Sequence, residues 1–520
     1  MHRKSRFSCE NTGLSVFLHN KVVFIRTSLQ AAHRFFTKCW DFRFSLVQIR
    51  QQEFFSLAAM MVLFGMLWLW QLSSVALTAP MDNIEQWIWS QSLQWGYHKH
   101  PPLPTWLLYV PQMLTGPTAW TSQILGALCT LISVGVFANL IRQIWGKPLA
   151  GLALLAALCI TFYNGRLNYY NHNTLLLLFV ALSAQCWWMI LQNGQRRWWI
   201  GLGLCAGLGM LSKYQYILVV VPSAYFIWQM KPWRKPQQLQ GLMWAMGTAL
   251  LVFSPHLWWL LQQDLANSPI RYALNTSLPE HQLQSSPIIN RVRSGVWLLD
   301  LFFNRCLPAL LFLWLVRVLC FNKTAPVPNP SPSLHDTPVT GTRFLMVWGL
   351  MPPLTITLLG MTLGMDLQMQ WGTAFALWLI APFMVALKVH QLQDSRRLQK
   401  VVWGGFLLIQ ASLMIYYNQT SSASLWRNFD SATVARELTA STRQANIGPI
   451  TIISGHASEA GAIALAMPYH PKILINRDLK ISPWIEKSEL QAPGVIQLWA
   501  PQTGPDHQTR LPSGWGWTPY

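Results

Sequence analysis

The chain has 520 residues, 52% hydrophobic and only 11% charged, with a formal net charge of +20. Soluble domains carry about a quarter charged residues, so this composition excludes an ordinary cytosolic enzyme and a disordered chain. The 38 Lys and Arg punctuate long apolar runs instead of forming a polar basic surface, which excludes a nucleic-acid-binding protein. Together with 29 Trp they fit a polytopic membrane protein with basic loops and interfacial aromatics. The eight Cys stand singly, with no CxxC and no Cys/His metal spacing, so neither a disulfide framework nor a zinc ribbon is expected.

Residues 1–53 hold nine Lys/Arg against three acids and read as a basic cytoplasmic arm against anionic lipid. An upstream start codon that adds a dispensable extension is the other reading. No short apolar core with a small-residue cleavage site opens the chain, as a signal peptide would require. A helix needs about 20 apolar residues to cross a bilayer. About eleven candidate spans follow within residues 54–418, centred near Leu67, Ile132, Ala156, Phe179, Ala206, Val220, Gly247, Leu310, Pro353, Ile380 and Leu408. The third, fifth and sixth are short or closely spaced. A Pro/Ser-rich stretch, 325–341, reads as a linker between spans.

Crossing the bilayer at each span leaves 23 basic residues in the N-terminal arm and the loops on its side, against six in the opposite loops. That bias sets the N-terminus in the cytoplasm, and an odd number of spans then puts the C-terminal region outside. From about residue 419 the pattern changes. "GPITIISG", "PKILIN" and "GVIQLWA" read as strands and "ASEAGAIALAM" as a helix, so residues 419–520 are expected to form a small extracytoplasmic α/β domain. It carries no GxGxxG, P-loop or nucleophile elbow.

The chemistry is expected in the first outer loop, residues 78–118. Asp82 and Glu85 lie at i, i+3 and share one helix face, and His98, Lys99 and His100 stand just before Pro101 and Pro102. Trp87, Trp89, Leu93 and Trp95 suit a helix lying flat in the membrane interface. Acids number 18 in the chain, and a carboxylate beside the bilayer needs a reason because its desolvation is costly. Asp82 is also a residue type that caps helices, here one beginning at Asn83.

The loop "MDNIEQWIWSQ…GY…HPPL" resembles the first outer loop of glycosyltransferase family 39, the dolichyl-phosphate-mannose–protein mannosyltransferase-like family. That family includes the bacterial lipid A aminoarabinose transferase-like enzymes. Weaker matches follow in family order: "NHNTLLL" (171–177), "GLGMLSKYQ" (207–215), "SPHLWW" (254–259) and "MQWGTAF" (369–375). The resemblance implies a type C glycosyltransferase fold. It also implies an inverting transfer of a hexosyl or pentosyl group from a polyprenyl-phosphate carrier to an extracytoplasmic lipid A, glycan or protein acceptor, at the inner (plasma) membrane and without a cofactor.

Carried over by position, the resemblance makes Asp82 the general base, with Glu85 orienting it or binding a sugar hydroxyl. A placed carboxylate can take the proton that an attacking hydroxyl loses. Lys99, His100, Lys213 and Arg271 are the candidates for the donor phosphate, which needs cations or strong donors. Tyr97, Asn171, His172, Asn173 and Trp371 are candidates for holding substrate. Two departures stand out. His100 occupies the position where aminoarabinose-type relatives have Lys, which makes its role pH-dependent or one of hydrogen bonding. "NYYNHNTLLLL" offers Asn171, His172 and Asn173 where many relatives have a second Asp, which argues against a catalytic divalent metal.

Several of these residues have plainer readings. Lys213 can snorkel to the interface, and Arg166 and Arg271 can be solvated loop residues. Asp300 and Arg305 can make a polar contact between helices, His256 can anchor a helix end, and the small residues of the fifth span can serve close helix packing. For the whole chain the alternatives are a lipid or sugar transporter or flippase, and a catalytically inactive relative. A transporter predicts internal repeats and midplane charges, and the sequence shows neither clearly.

Overall fold

The computed structural model describes residues 52–263, 268–277, 286–320, 339–392, 396–419 and 426–520, with side chains from residue 57. The basic arm therefore lies outside the described residues except for its last two, as do Asp264, Glu280 and most of the 325–341 linker. The chain divides into two compact units, residues 1–60 and 61–520. Apart from the first residues of the first span, all that follows concerns the second.

The protein is a polytopic α-helical membrane protein with a small C-terminal sheet. Eight helices among the described residues are long and apolar enough to cross a membrane, and each contains one of the expected centres. The other three centres, Ala156, Ala206 and Val220, fall on helices of 12, 17 and 11 residues. They are short for local reasons. Lys147–Leu158 runs into an irregular, mostly buried segment at 159–171. Lys213 adopts an extended backbone after Ser212, and a 3-10 turn, Tyr214–Val219, precedes Val220.

Three helices position the site. Helix α1 (Met81–Trp89) lies in the loop after the first span, α2 (His172–Asn193) is a candidate span, and α3 (Arg196–Ser212) ends at Lys213. Glycines bring α3 against Pro236–Gln262: a Cβ on Gly203 would lie 2.4 Å from the Ala245 carbonyl oxygen, and one on Gly207 2.6 Å from Val252 Cβ. The small residues of that segment thus serve close helix packing.

Beyond residue 426, helices α4 (Ser431–Gln444) and α5 (Ala457–Ala466) flank a five-stranded sheet of order β2-β1-β3-β5-β4. Strands β1 (Ile452–Gly455), β2 (Lys472–Ile475) and β3 (Val495–Trp499) fall on the expected segments, and β1 pairs in parallel with both others. β4 (Thr509–Arg510) and β5 (Gly516–Pro519) carry no strand pattern in the sequence, and they add an antiparallel edge. Ile453, Ile463, Ile473 and Ile496 are fully buried in one core with Ile84, Ile88 and Trp89 of α1.

That shared core corrects the expectation of an interfacial helix in the first loop. The apolar face of α1 is covered by protein, and Trp95, beyond the end of the helix, is exposed. α5 seats directly on α1: a Cβ on Gly461 would come within 2.5 Å of Ile84 and 2.7 Å of Ile88. Trp87 also meets His470 edge-on at 6.2 Å.

Candidate active site

Helix α1 begins at Met81 with Pro80 as its N-cap and no capping side chain, so Asp82 sits inside the first turn and does not cap. Its carboxylate turns to Asn171, whose Nδ2 donates to Oδ2 at 2.6 Å. Asn171 is itself the N-cap of α2, its Oδ1 accepting from the backbone N–H groups of Asn173 (2.8 Å) and Thr174 (2.9 Å). One amide thus aims the carboxylate and starts a span. Asn83, fully buried, ties α1 to the 159–171 segment: Nδ2 donates to Ser122 Oγ and the Asn168 carbonyl, and Oδ1 accepts from the Tyr170 N–H, all at 2.9 Å.

Glu85 does not orient Asp82. Lys99 Nζ donates to its Oε1 at 2.5 Å, and the two form an ion pair. Burial pushes the Glu85 carboxyl up more than Lys99 pulls it down. Burial also lowers the Lys99 ammonium, but attraction to Glu85 outweighs it and leaves Lys99 above its usual value. The charge on Lys99 is therefore largely answered within the protein.

His98 and His100 are held neutral. Burial, reinforced by Lys99, lowers His98 to about 4. Burial, then Lys213 and Lys99, hold His100 well below its ordinary value. The His100 and His172 rings lie 3.7 Å apart, and Tyr272 meets His100 edge-on at 5.8 Å. His172 Nε2 shares a 3.1 Å hydrogen bond with Asn173 Nδ2, and Asn173 Oδ1 accepts from Lys213 Nζ at 2.7 Å. Lys213 is buried beside the Trp371 ring, 5.5 Å from its centroid, and Gln215 Nε2 donates to the Trp371 carbonyl at 3.0 Å. Burial lowers the Lys213 ammonium to about 7, so an anion brought beside it would hold its proton in place. Two buried atoms here, His172 Nδ1 and Gln215 Oε1, have no hydrogen-bond partner.

The structure therefore joins Asp82 to Asn171, Glu85 to Lys99, and His100, His172, Asn173, Lys213 and Trp371 to one another. Two candidates stand apart from this group. Tyr97 is buried, stacked on Trp89 at 5.1 Å, and its hydroxyl donates to the Ser92 carbonyl at 3.0 Å, so it braces the loop. Arg271 is exposed on the helix Pro269–Ser277, and its neighbour Tyr272 faces the site instead, beneath Lys99 at 5.6 Å. Tyr272 and Gln215 escaped the sequence reading because a single aromatic or amide beside a basic residue carries no spacing signal. His256 anchors a helix: its Nδ1 donates to the Trp95 carbonyl at 2.6 Å, which leaves Nε2 to accept from the Tyr214 hydroxyl at 2.7 Å.

The Arg166 guanidinium lies over Tyr169 at 5.1 Å, and that of Arg305 over Phe162 at 5.0 Å. Neither forms an ion pair among the described residues. Arg305 lies in a π-helical turn, Leu301–Cys306, a distortion frequent at functional sites. Among the described residues no three His, Cys, Asp or Glu side chains cluster as a metal site requires.

The architecture has known counterparts. Two crystal structures of ArnT from Cupriavidus metallidurans superpose along nearly the whole length. The apo form has a TM-score of 0.60 at 12% identity, covering 89% of this chain and 98% of that one. The form bound to undecaprenyl phosphate has a TM-score of 0.58 at 13% identity, covering 89% and 97%. The fold is that of ArnT.

Residues 99–259 match the dolichyl-phosphate-mannose-protein mannosyltransferase family, in line with the resemblance carried by the motifs. Among curated proteins, the lipid A galacturonosyltransferase RgtD of Rhizobium johnstonii is 27% identical over 195 residues, 37% of this chain and 40% of that protein. An undecaprenyl phosphate-alpha-4-amino-4-deoxy-L-arabinose arabinosyl transferase of Pseudomonas aeruginosa is 30% identical over 216 residues, 38% of this chain and 39% of that protein. The chain thus spans about two fifths of the length of the curated relatives it matches. The family match takes in Lys99, His100, Asn171 and Lys213, whereas Asp82, Glu85 and Trp371 lie outside it. On the ArnT fold, the loop bearing α1 and the cap of α2 bring these residues together.

Proposed function

We propose that the chain is a membrane glycosyltransferase that moves a hexosyl or pentosyl group, with inversion, from a polyprenyl-phosphate carrier to an acceptor hydroxyl outside the cytoplasm. The observation that carries this reading is a carboxylate, Asp82, aimed by Asn171 at the cap of α2, together with a buried Lys213 that no carboxylate among the described residues pairs and that donates to Asn173 of the same helix. The ArnT fold and the activities of the partial relatives support it.

In this reading Lys213, with His100 and Asn173 as neutral donors, meets the carrier phosphate. Asp82 takes the acceptor proton as the acceptor oxygen attacks the anomeric carbon. The bond from that carbon to the phosphate oxygen breaks, its electron pair stays on the phosphate, and Lys213 stabilises the charge that develops. Lys99, paired with Glu85, shapes the loop and adds less net charge. The acceptor is lipid A, a glycan or a protein. Charge bias in the loops supports a multi-pass inner-membrane protein with a cytoplasmic N-terminus and residues 419–520 on the outer side.

The test is polyprenyl-phosphate release by purified protein in nanodiscs, given labelled polyprenyl-phospho-sugars and a membrane extract as acceptor source. Release that needs acceptor and falls about 100- to 10,000-fold in Asp82→Asn, with thermal stability unchanged, supports the reading. Release that is equal in the variant points to an inactive Asp82. A flipping assay that is positive without any release replaces the enzyme with a transporter.

A further inference from the structure

The C-terminal sheet carries a crevice that the transfer chemistry above does not use. From β1 the chain passes through α5 to β2 on one side, then returns to β3 on the other side of β1. The carboxyl ends of β1 and β3 therefore flank a reversal of winding direction, the place where open α/β sheets leave room for a ligand. A cavity of about 460 Å³ opens there, with Gly455, His456, Arg477, Gln497, Trp499 and Trp515 in its lining.

Its chemistry is that of an anion on a flat, polar ring. The Arg477 guanidinium lies over the Trp499 ring at 4.8 Å, and its Nε donates to Gln497 Oε1 at 2.8 Å. Those two contacts fix the plane of the fork, and the terminal amino groups meet no carboxylate among the described residues. A guanidinium fixed in this way suits two-pronged binding of a carboxylate or phosphate. Asn476 and Arg477 both adopt left-handed backbone conformations, φ 49° and 63°, which Asn takes up readily and Arg seldom. The turn that aims Arg477 is thus strained at the cavity edge. Across the cavity, α5 has His456 as its N-cap with no capping side chain, so its first N–H groups add positive potential. Glu459, the one acid in the lining, is occupied by His456. Trp515 supplies an aromatic wall.

The crevice also faces the reactive loop. α5 rests on α1 through Gly461, and His456 is within electrostatic reach of Glu85. His98 senses Asp478, the residue after Arg477.

From this arrangement we infer that the crevice at the carboxyl ends of β1 and β3 binds an acidic saccharide of the acceptor, with Arg477 taking its carboxylate or phosphate. The inference deepens the glycosyl-transfer reading and rests on it for the role of the ligand, while the binding itself is separately measurable.

The experiment uses the full chain in nanodiscs and follows hydrogen exchange at residues 454–460 and 476–478 with four probes: galacturonic acid, glucosamine 1-phosphate, galactose and inorganic phosphate. Galacturonic acid or glucosamine 1-phosphate should slow exchange there, and which of the two acts says whether the acid is a carboxylate or a phosphate. Galactose should act at least about tenfold more weakly, because it lacks the charged partner of Arg477. Arg477→Gln, at an exposed position, should keep the thermal stability and abolish the protection. Asp82→Asn should leave it intact. Equal protection by galactose, protection by inorganic phosphate alone, protection that survives in Arg477→Gln, or none with any probe would each overturn the inference. Loss of polyprenyl-phosphate release with crevice protection intact would instead count against the transfer reading alone.

Discussion

Asn171 donates its side-chain N–H to Asp82 at 2.6 Å while its carbonyl oxygen caps the helix that opens at His172. The carboxylate proposed as the base is therefore aimed by a residue whose other half sets the start of a span. The two functions use different atoms and can be separated. Asn171→Ala removes both, and should cost about 1 kcal/mol of stability as well as activity. Asn171→Ser keeps an oxygen that can cap but loses the amide donor. It should retain most of the thermal stability while the transfer rate falls, measured as kcat with KM for the donor little changed. A Ser variant with wild-type kcat would show that Asp82 does not need this hydrogen bond.

Lys99 and Lys213 are both near the proposed phosphate position, but only Lys99 has an acid partner, Glu85. An ammonium already bound to a carboxylate is less available to an incoming phosphate than one facing Asn173 and Trp371, whose proton the phosphate itself would hold in place. Lys213→Ala should therefore lower polyprenyl-phosphate release by about 100- to 1,000-fold, the usual scale for losing a preorganised charge donor. Lys99→Ala should cost less activity and more stability, because it leaves Glu85 buried without its counter-charge. The double variant Glu85→Gln/Lys99→Gln should recover part of that stability. Equal activity losses for the two lysines would contradict the ranking.

His98 carries a pH signature. Burial and Lys99 depress it from the ordinary histidine range to about 4, so between those values the unfolded chain binds a proton that the folded loop refuses. The folded state is then favoured above pH of about 6.5 and loses that advantage as pH falls toward 4. His100 is depressed for the same primary reason and acts in the same direction. Thermal unfolding at pH 7.5 and 5 should show a fall in Tm on acidification, and His98→Gln should make that fall smaller. An unchanged pH dependence in the variant would place the acid sensitivity elsewhere.

What could be read from the sequence was local. An apolar run long enough to span a bilayer announces itself residue by residue, and all eight long helices contain expected centres. The strands "TIISG", "KILI" and "VIQLW" were visible for the same reason, each a compact β-branched or apolar run. Thr509–Arg510 and Gly516–Pro519 were not, because two exposed polar residues and a segment with Gly and Pro carry no alternation. At the site, Asp82, Glu85, Lys99 and Lys213 were found as scarce charges beside apolar sequence. Their partners were hidden by distance along the chain: Asn171 is 89 residues from Asp82, and Asn173 is 40 from Lys213. The apolar face of α1 looked like membrane-interface sequence because nothing local distinguishes burial in lipid from burial against α5.

That burial gives the last prediction. Gly461 of α5 has no room for a side chain: a Cβ would lie 2.5 Å from Ile84 Cγ2 and 2.7 Å from Ile88 Cδ1, and both isoleucines are fully buried. In an isolated helix, replacing Gly by Ala stabilises by about 1 kcal/mol. Here the added methyl must displace packed side chains, which costs about 1–3 kcal/mol and should outweigh that gain. Gly461→Ala should lower Tm modestly, and Gly461→Val, with two further methyl groups, should lower it more. Because α1 carries Asp82 on the helix that α5 presses, both variants should also lower the transfer rate, in the same order as their losses of stability. A Gly461→Val protein that melts like wild type would mean that α1 and α5 are not pressed together, and that the site is held by the loops around Asn83 and Asn171 alone.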